Sequence, residues 1–165
     1  MDKQQIYAFL REKGIEFRTY EHKAVYTIEE ADTLQLPNPE YGAKNLFLRD
    51  DKKRNYYLIT VRDELPLNLK KLQEQIGSRR LGFASEEDLY RLLELKRGSV
   101  TPLGLLNDSQ RCVKLYMDAY FKGRKISVHP NENTASVHLA GDDLMELVLE
   151  HGNAAEYLQL LCEDV

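Results

Sequence analysis

Two stretches, Asn45-Leu46-Phe47-Leu48-Arg49 and Tyr56-Tyr57-Leu58-Ile59-Thr60-Val61, with the charged interval Asp50–Asn55 between them, decide the class of fold. The second is apolar at almost every position, which is the pattern of a strand covered on both faces. The first carries the run Leu46-Phe47-Leu48 and ends in charge, so the pair predicts two strands joined by a turn. A strand buried on both sides needs packing layers above and below it, and the flanking sequence must supply them.

Upstream, Asp2 can cap a first helix whose apolar stripe is Ile6, Phe9 and Leu10, with Gly14 as its stop. Ile15–His22 then reads as extended. Thr27-Ile28-Glu29-Glu30 has the form of a capping box, which starts a second helix at Ile28, and Pro37-Asn38-Pro39 forces a turn. Downstream, Asn68 caps a helix that turns Leu69, Leu72 and Ile76 inward and closes at Gly77. Leu81–Ala84 is a short strand, and Ser85 caps a helix bearing Leu89, Leu92 and Leu93. Gly98–Gly104 reads as a loop. Val113, Leu115 and Met117 alternate as a strand does, Lys122-Gly123 is a turn, and Lys125–His129 and Ala135–Ala140 read as strands joined by Pro130-Asn131-Glu132-Asn133. A helix starts at Asp142 or Asp143 and closes at Gly152, while Ala154–Leu161 fits either a short helix or a strand. Without a strict βαβ repeat, this order predicts an α+β fold. Residues 1–165 form a single domain with a mixed, largely antiparallel sheet flanked by helices.

Composition narrows the function. Apolar residues make up 42% of the 165-residue chain and charged residues 30%, enough for one core under a solvated surface. No stretch reaches the roughly 18–20 apolar residues that cross a bilayer, and Met1-Asp2-Lys3-Gln4-Gln5 leads into no apolar segment, so no membrane contact and a cytoplasmic location are expected. Cys112 and Cys162 form no CxxC motif and read as free thiols in a reducing compartment. A net charge of −4 argues against strong nonspecific binding to nucleic acid. Local basic clusters remain at Lys52-Lys53-Arg54, Lys70-Lys71, Arg79-Arg80, Lys96-Arg97 and Lys122/Arg124/Lys125, each explicable as solvated surface.

Signatures for dinucleotide, P-loop, zinc-protease and serine-hydrolase chemistry are absent from the sequence. The histidines His22, His129, His138 and His151 are scattered. His129 and His138 can approach each other on neighbouring strands, yet a metal would need further ligands at a recognisable spacing, so no metal and no cofactor are expected. Three features stand out. Tyr41-Gly42-Ala43-Lys44-Asn45 delivers a lysine to the start of a buried strand. Gly98-Ser99-Val100-Thr101-Pro102-Leu103-Gly104 can offer backbone N–H groups to an oxyanion or a sugar hydroxyl. His129-Pro130-Asn131-Glu132-Asn133 places a histidine at a strand end. On residue chemistry alone each also has an inert reading: a solvated lysine, a structural loop, a packed histidine.

Taken with their neighbours, these features resemble the YbaK/prolyl-tRNA-synthetase-associated domain family, and within it the stand-alone alanyl-tRNA(Pro) deacylase branch. The similarity runs over nearly the whole chain. It is carried by Glu21-His22-Lys23-Ala24-Val25-Tyr26-Thr27-Ile28-Glu29-Glu30-Ala31, Ala43-Lys44-Asn45-Leu46-Phe47-Leu48, Asp63-Glu64-Leu65-Pro66-Leu67-Asn68-Leu69-Lys70-Lys71-Leu72, the GxxxP loop Gly98–Pro102, and His129-Pro130-Asn131-Glu132-Asn133-Thr134-Ala135-Ser136-Val137. One departure is Lys23-Ala24, where many relatives carry two prolines. The resemblance implies a metal-free hydrolase of the ester between an amino acid and the terminal adenosine of tRNA, with the tRNA(Pro) acceptor end as partner and prolyl-tRNA synthetase as a second one. It implies catalytic roles for Lys44 and His129, and substrate binding by Asn45, Gly98, Ser99, Val100, Thr101, Pro102 and Gly104. Other readings stay open: a pocket for cysteine or serine, or a non-catalytic module that binds tRNA or an amino acid.

Overall fold

The computed structural model describes residues 1–25, 29–30 and 33–160. The helix start expected at Ile28, and Cys162, lie outside the described residues. Helix α1 (Lys3–Glu12) begins where the Asp2 side chain accepts from the Gln5 amide and the Gln5 side chain accepts from the Asp2 amide, a closed capping box. Strand β1 (Phe17–Glu21) follows, then a short 3-10 turn at Pro39–Tyr41. Strands β2 (Ala43–Asp50) and β3 (Tyr56–Arg62) are the expected pair. Their turn is tied by the buried Asp50 carboxylate, which accepts from the Arg54 amide at 2.9 Å and the Asn55 side chain at 2.8 Å. Helix α2 (Leu69–Ile76) is capped by Asn68 and closed by Gly77 at φ +69°, strand β4 covers Leu81–Phe83, and α3 (Glu86–Leu93) is capped by Ser85. Strands β5 (Val113–Asp118), β6 (Lys125–Val128) and β7 (Ala135–Ala140), helix α4 (Gly141–His151) and strand β8 (Ala155–Leu158) complete the order.

The fold is α+β with mixed strand directions, as expected, but the strands divide into two sheets. One has the order β4-β2-β3-β5-β8, antiparallel from β4 to β3 and parallel from β3 through β5 to β8. The other is antiparallel, β1-β7-β6, with Phe17 opposite Leu139. Two further differences are local. The Gly98–Gly104 loop is a loop only to Thr101, because Pro102 presets φ and Pro102–Asn107 winds into a 3-10 helix. Helix α4 starts at Gly141, ahead of Asp142 and Asp143, which occupy its first turn and favour its positive end. After Gly152, Ala155–Leu158 form a strand, β8.

Strand β3 separates two cores. Tyr56 and Leu58 belong to a large cluster shared with α1, α3, α4 and the inner face of the second sheet through Ile126, Val128, Val137 and Leu139. Ile59 and Val61 belong to a smaller one, closed by Leu72 of α2, Leu65 and Tyr116. Leu58 and Ile59 are both fully buried, each worth about 1.5–3 kcal/mol in water exclusion. The ends of the parallel strands are locked by Asp118, 1% exposed. Its carboxylate accepts from Arg62 Nε at 2.8 Å, the Arg62 amide at 3.2 Å and the Tyr120 amide at 3.0 Å. Removing that carboxylate strands a partly buried guanidinium, so Asp118→Ala is expected to cost about 3–5 kcal/mol. Urea denaturation of the full chain measures it.

Candidate functional site

A cavity of about 570 Å³ opens at the junction of the two sheets. One wall is the outward face of β6 and β7. Along β7, Val137 and Leu139 enter the core, so the period of two turns Ser136 and His138 the other way, beside Ser127 of β6. A second wall is the start of β2, Gly42 to Asn45, with Asp63 just past β3. Gly98, Val100 and His129 close the floor, and Val25, Leu34, Leu36, Pro37 and Pro39 form an apolar brim. The volume suits a small organic ligand, and the lining pairs an apolar rim with a few converging polar groups.

Lys44, Asn45, Gly98, Val100 and His129 therefore meet in one cavity although they are dispersed along the chain. Lys44 stands opposite Val61 on β2, on the face of Leu46 and Leu48, and its ammonium donates to the Leu65 carbonyl at the strand end. Asn45 is oriented by Thr60, whose fully buried hydroxyl donates to Asn45 Oδ1 at 2.6 Å. At Gly42 a Cβ would lie 2.1 Å from Asp63 Oδ2, so a side chain there would displace that carboxylate. That close approach brings the carboxylate into the cavity wall.

The Gly98 loop splits into lining and supporting residues. Gly98, at φ +88°, and Val100 line the cavity. Their amides and that of Thr101 take no protein acceptor among the described residues, whereas the Ser99 amide donates to the Lys96 carbonyl at 3.0 Å. Ser99, Thr101, Pro102 and Gly104, expected to bind substrate, do not line the cavity. Thr101 is fully buried, and its hydroxyl donates to the His129 carbonyl at 2.7 Å, tying the loop to the histidine. Pro102 starts the buried 3-10 helix, and Gly104 lies under Leu95, whose Cδ1 would be 2.4 Å from a Cβ.

His129 donates from Nδ1 to the Ala135 carbonyl at 2.9 Å, because a carbonyl has no proton to give. Burial pushes its pKa below the ordinary histidine value, with the nearby His22 adding to the shift and the Ala135 carbonyl opposing it. His138, 5% exposed, sits between Tyr20 and Tyr41 at centroid distances of 4.6 and 5.3 Å, and its Nδ1 has no hydrogen-bond partner among the described residues. Burial and then the Lys125 charge lower its pKa. His129 and His138 thus favour the neutral imidazole near neutral pH. Sequence reading missed His22, Asp63, Ser127, Ser136 and His138 as lining residues. The alternation Ser136-Val137-His138-Leu139 held the signal for two of them.

A model of the aminoacyl-tRNA editing domain matches residues 22–147, a span that takes in every lining residue above. The chain belongs to the aminoacyl-tRNA editing domain family. This is the YbaK/prolyl-tRNA-synthetase-associated group that the sequence motifs resemble. The editing domain is 42% identical over 159 residues to the prolyl-tRNA editing protein ProX of Acetoanaerobium sticklandii, covering 96% of this chain and 97% of that one. It is 37% identical over 149 residues to the mouse prolyl-tRNA synthetase associated domain-containing protein 1, covering 85% of each. Its fold matches a crystal structure described as a candidate trans-editing enzyme for prolyl tRNA synthetase, with a TM-score of 0.71 at 20% identity over 96% of this chain and 97% of that one.

The two lowered histidines set how the stability of the editing domain depends on pH. Above the ordinary value of 6.5 both are neutral folded or unfolded. As pH falls through that value the unfolded chain takes up protons first, so folded stability drops until the depressed folded values are passed. Thermal midpoints measured between about pH 7.5 and 5 are expected to fall, and to fall less in the double variant His129→Gln/His138→Gln, with carboxylates contributing mainly below that window.

Proposed function

We infer that the chain is a trans-editing deacylase that hydrolyses alanine from mischarged tRNA(Pro), acting as one unit over residues 1–165 in the cytoplasm. The observation that carries this reading is the meeting of a strand-end lysine, unpaired loop amides and a neutral histidine in one cavity with an apolar brim. Those groups suit an aminoacyl ester. The Gly98 and Val100 amides meet the oxyanion that develops when the carbonyl is attacked, which is where preorganised donors contribute most. Lys44 leaves the Leu65 carbonyl for the terminal phosphate or the developing charge. Asn45, held by Thr60, orients the ribose, and His129 Nε2 accepts from the amino acid or the attacking water. With positioning supplied by the walls, water does the attack.

The need for such an enzyme follows from size. A proline pocket rejects a smaller amino acid weakly, since a missing methylene is worth about 1–3 kcal/mol. A second pocket that fits alanine and excludes the pyrrolidine ring restores accuracy. The relatives named for prolyl-tRNA editing and for prolyl-tRNA synthetase association support tRNA(Pro) as the substrate carrier and the synthetase as a partner.

The test is a panel of tRNAs charged with alanine, cysteine, serine or proline, followed for loss of the charged species. Alanyl-tRNA(Pro) is expected to be cleared fastest and prolyl-tRNA(Pro) spared. Lys44→Ala is expected to lower kcat/KM about 100-fold or more, the size seen when one charge-stabilising donor is removed. Equal rates for both substrates, or full activity in the variant, would overturn the assignment.

A further inference from the structure

His22 and Ser136 face the cavity from the ends of neighbouring strands on one wall and are bonded to each other. His22 follows β1, and its amide donates to the Thr134 carbonyl at 2.9 Å, which fixes its backbone. Its Nδ1 lies 2.7 Å from the Lys23 carbonyl and its Nε2 lies 2.9 Å from Ser136 Oγ. A carbonyl accepts and cannot donate, so Nδ1 carries the proton and Nε2 of the neutral ring is the acceptor. The Ser136 hydroxyl must then point its hydrogen at His22, leaving its lone pairs for whatever lies against the wall. Ser136 is 5% exposed and lies on the face that β7 turns toward the cavity. The His129 ring is 6.2 Å from that of His22, so the pair stands beside the floor of the cavity.

We propose that Ser136 is a catalytic hydroxyl of the deacylation and that His22 is the positioning residue that takes its proton. This rests on the deacylase reading and adds the missing base to it. As the water oxygen bonds to the ester carbon, the water proton passes to Ser136 Oγ and the Ser136 proton passes to His22 Nε2. The imidazolium is held by the Lys23 carbonyl at Nδ1. When the carbon–oxygen bond to the ribose breaks, the departing 3′ oxygen takes the proton back along the same route, and the acid and the alcohol are the products. A base that reaches the reacting proton through one bridging group meets the geometric requirement for general base catalysis. The charged and titratable groups around His22 are Glu21 and Lys23 on its own segment, Lys3 and Tyr7 of α1 bonded to Glu21, and His129 beyond β6. Lys44 and Asp63 line the same cavity.

The experiment uses the full chain and the tRNA of the panel that wild type clears fastest. His22→Gln and Ser136→Ala are each expected to lower kcat about 100-fold. Their KM stays near wild type, and the double variant falls no further, as for residues acting as a unit. Ser136→Thr, which keeps the hydroxyl on a strand, is expected to restore most of the rate, separating chemistry from damage to the fold. Variants within about threefold of wild type, or a double variant that falls by the product of the two single losses, overturn the pair and leave the deacylase reading intact. A wild-type chain that clears no member of the panel overturns both.

Discussion

The structure depends on the burial of β3 from both sides. Tyr56 and Leu58 point into one core while Ile59 and Val61 point into the other, so both layers must be in place before either is dry. Everything that builds the cavity hangs from that strand. β2 is held beside it and delivers Lys44 and Asn45, its carboxyl end runs into Asp63, and Arg62 at its last position is clamped by Asp118 to the parallel neighbour. The double cover thus fixes the rim on which the polar groups stand, as expected for sites built at the ends of rigid strands.

The cavity itself has a consistent electrostatic character. Burial favours the neutral form of His129 and His138, and the backbone amides of Gly98 and Val100 supply donors without a formal charge. Asp63 and Lys44 bring charge of both signs to the β2 wall. Such a mixture suits an aminoacyl ester, which carries an ammonium, an uncharged carbonyl and a nearby phosphate within a few bonds. The overall net charge of −4 places no broad basic field around the mouth. The proposed function accordingly needs contacts only at the acceptor end of a tRNA.

Much of the fold was legible in the residues. Asp2, Asn68 and Ser85 announced their helices because a capping side chain acts within one turn, and the unbroken apolar run of β3 announced a central strand. The division into two sheets was not legible. Nothing near Phe17 says that its partner is Leu139, since pairing between distant strands leaves no local mark. In the site, the segments of Lys44, Gly98 and His129 stood out by residue chemistry and took their roles from the family resemblance, and their meeting in space is a property of the tertiary fold. Thr101, Pro102 and Gly104 were expected at the ligand because they belong to the same motif. Their burial shows that a motif also contains the residues that hold it in shape. Ser136 and His138 were overlooked although their alternation with Val137 and Leu139 follows the strand period.

The pairing of β1 with β7 has a consequence for biosynthesis. One wall of the cavity joins the segment just after the first strand to a strand 114 residues further along, at His22 and Ser136, and the parallel edge at β8 comes later still. Contacts so distant along the chain close late and slowly. A nascent chain that has not yet reached β7 can form α1 and the β2–β3 hairpin, yet it holds no finished pocket. The pocket wall is complete only once β7 lies against β1.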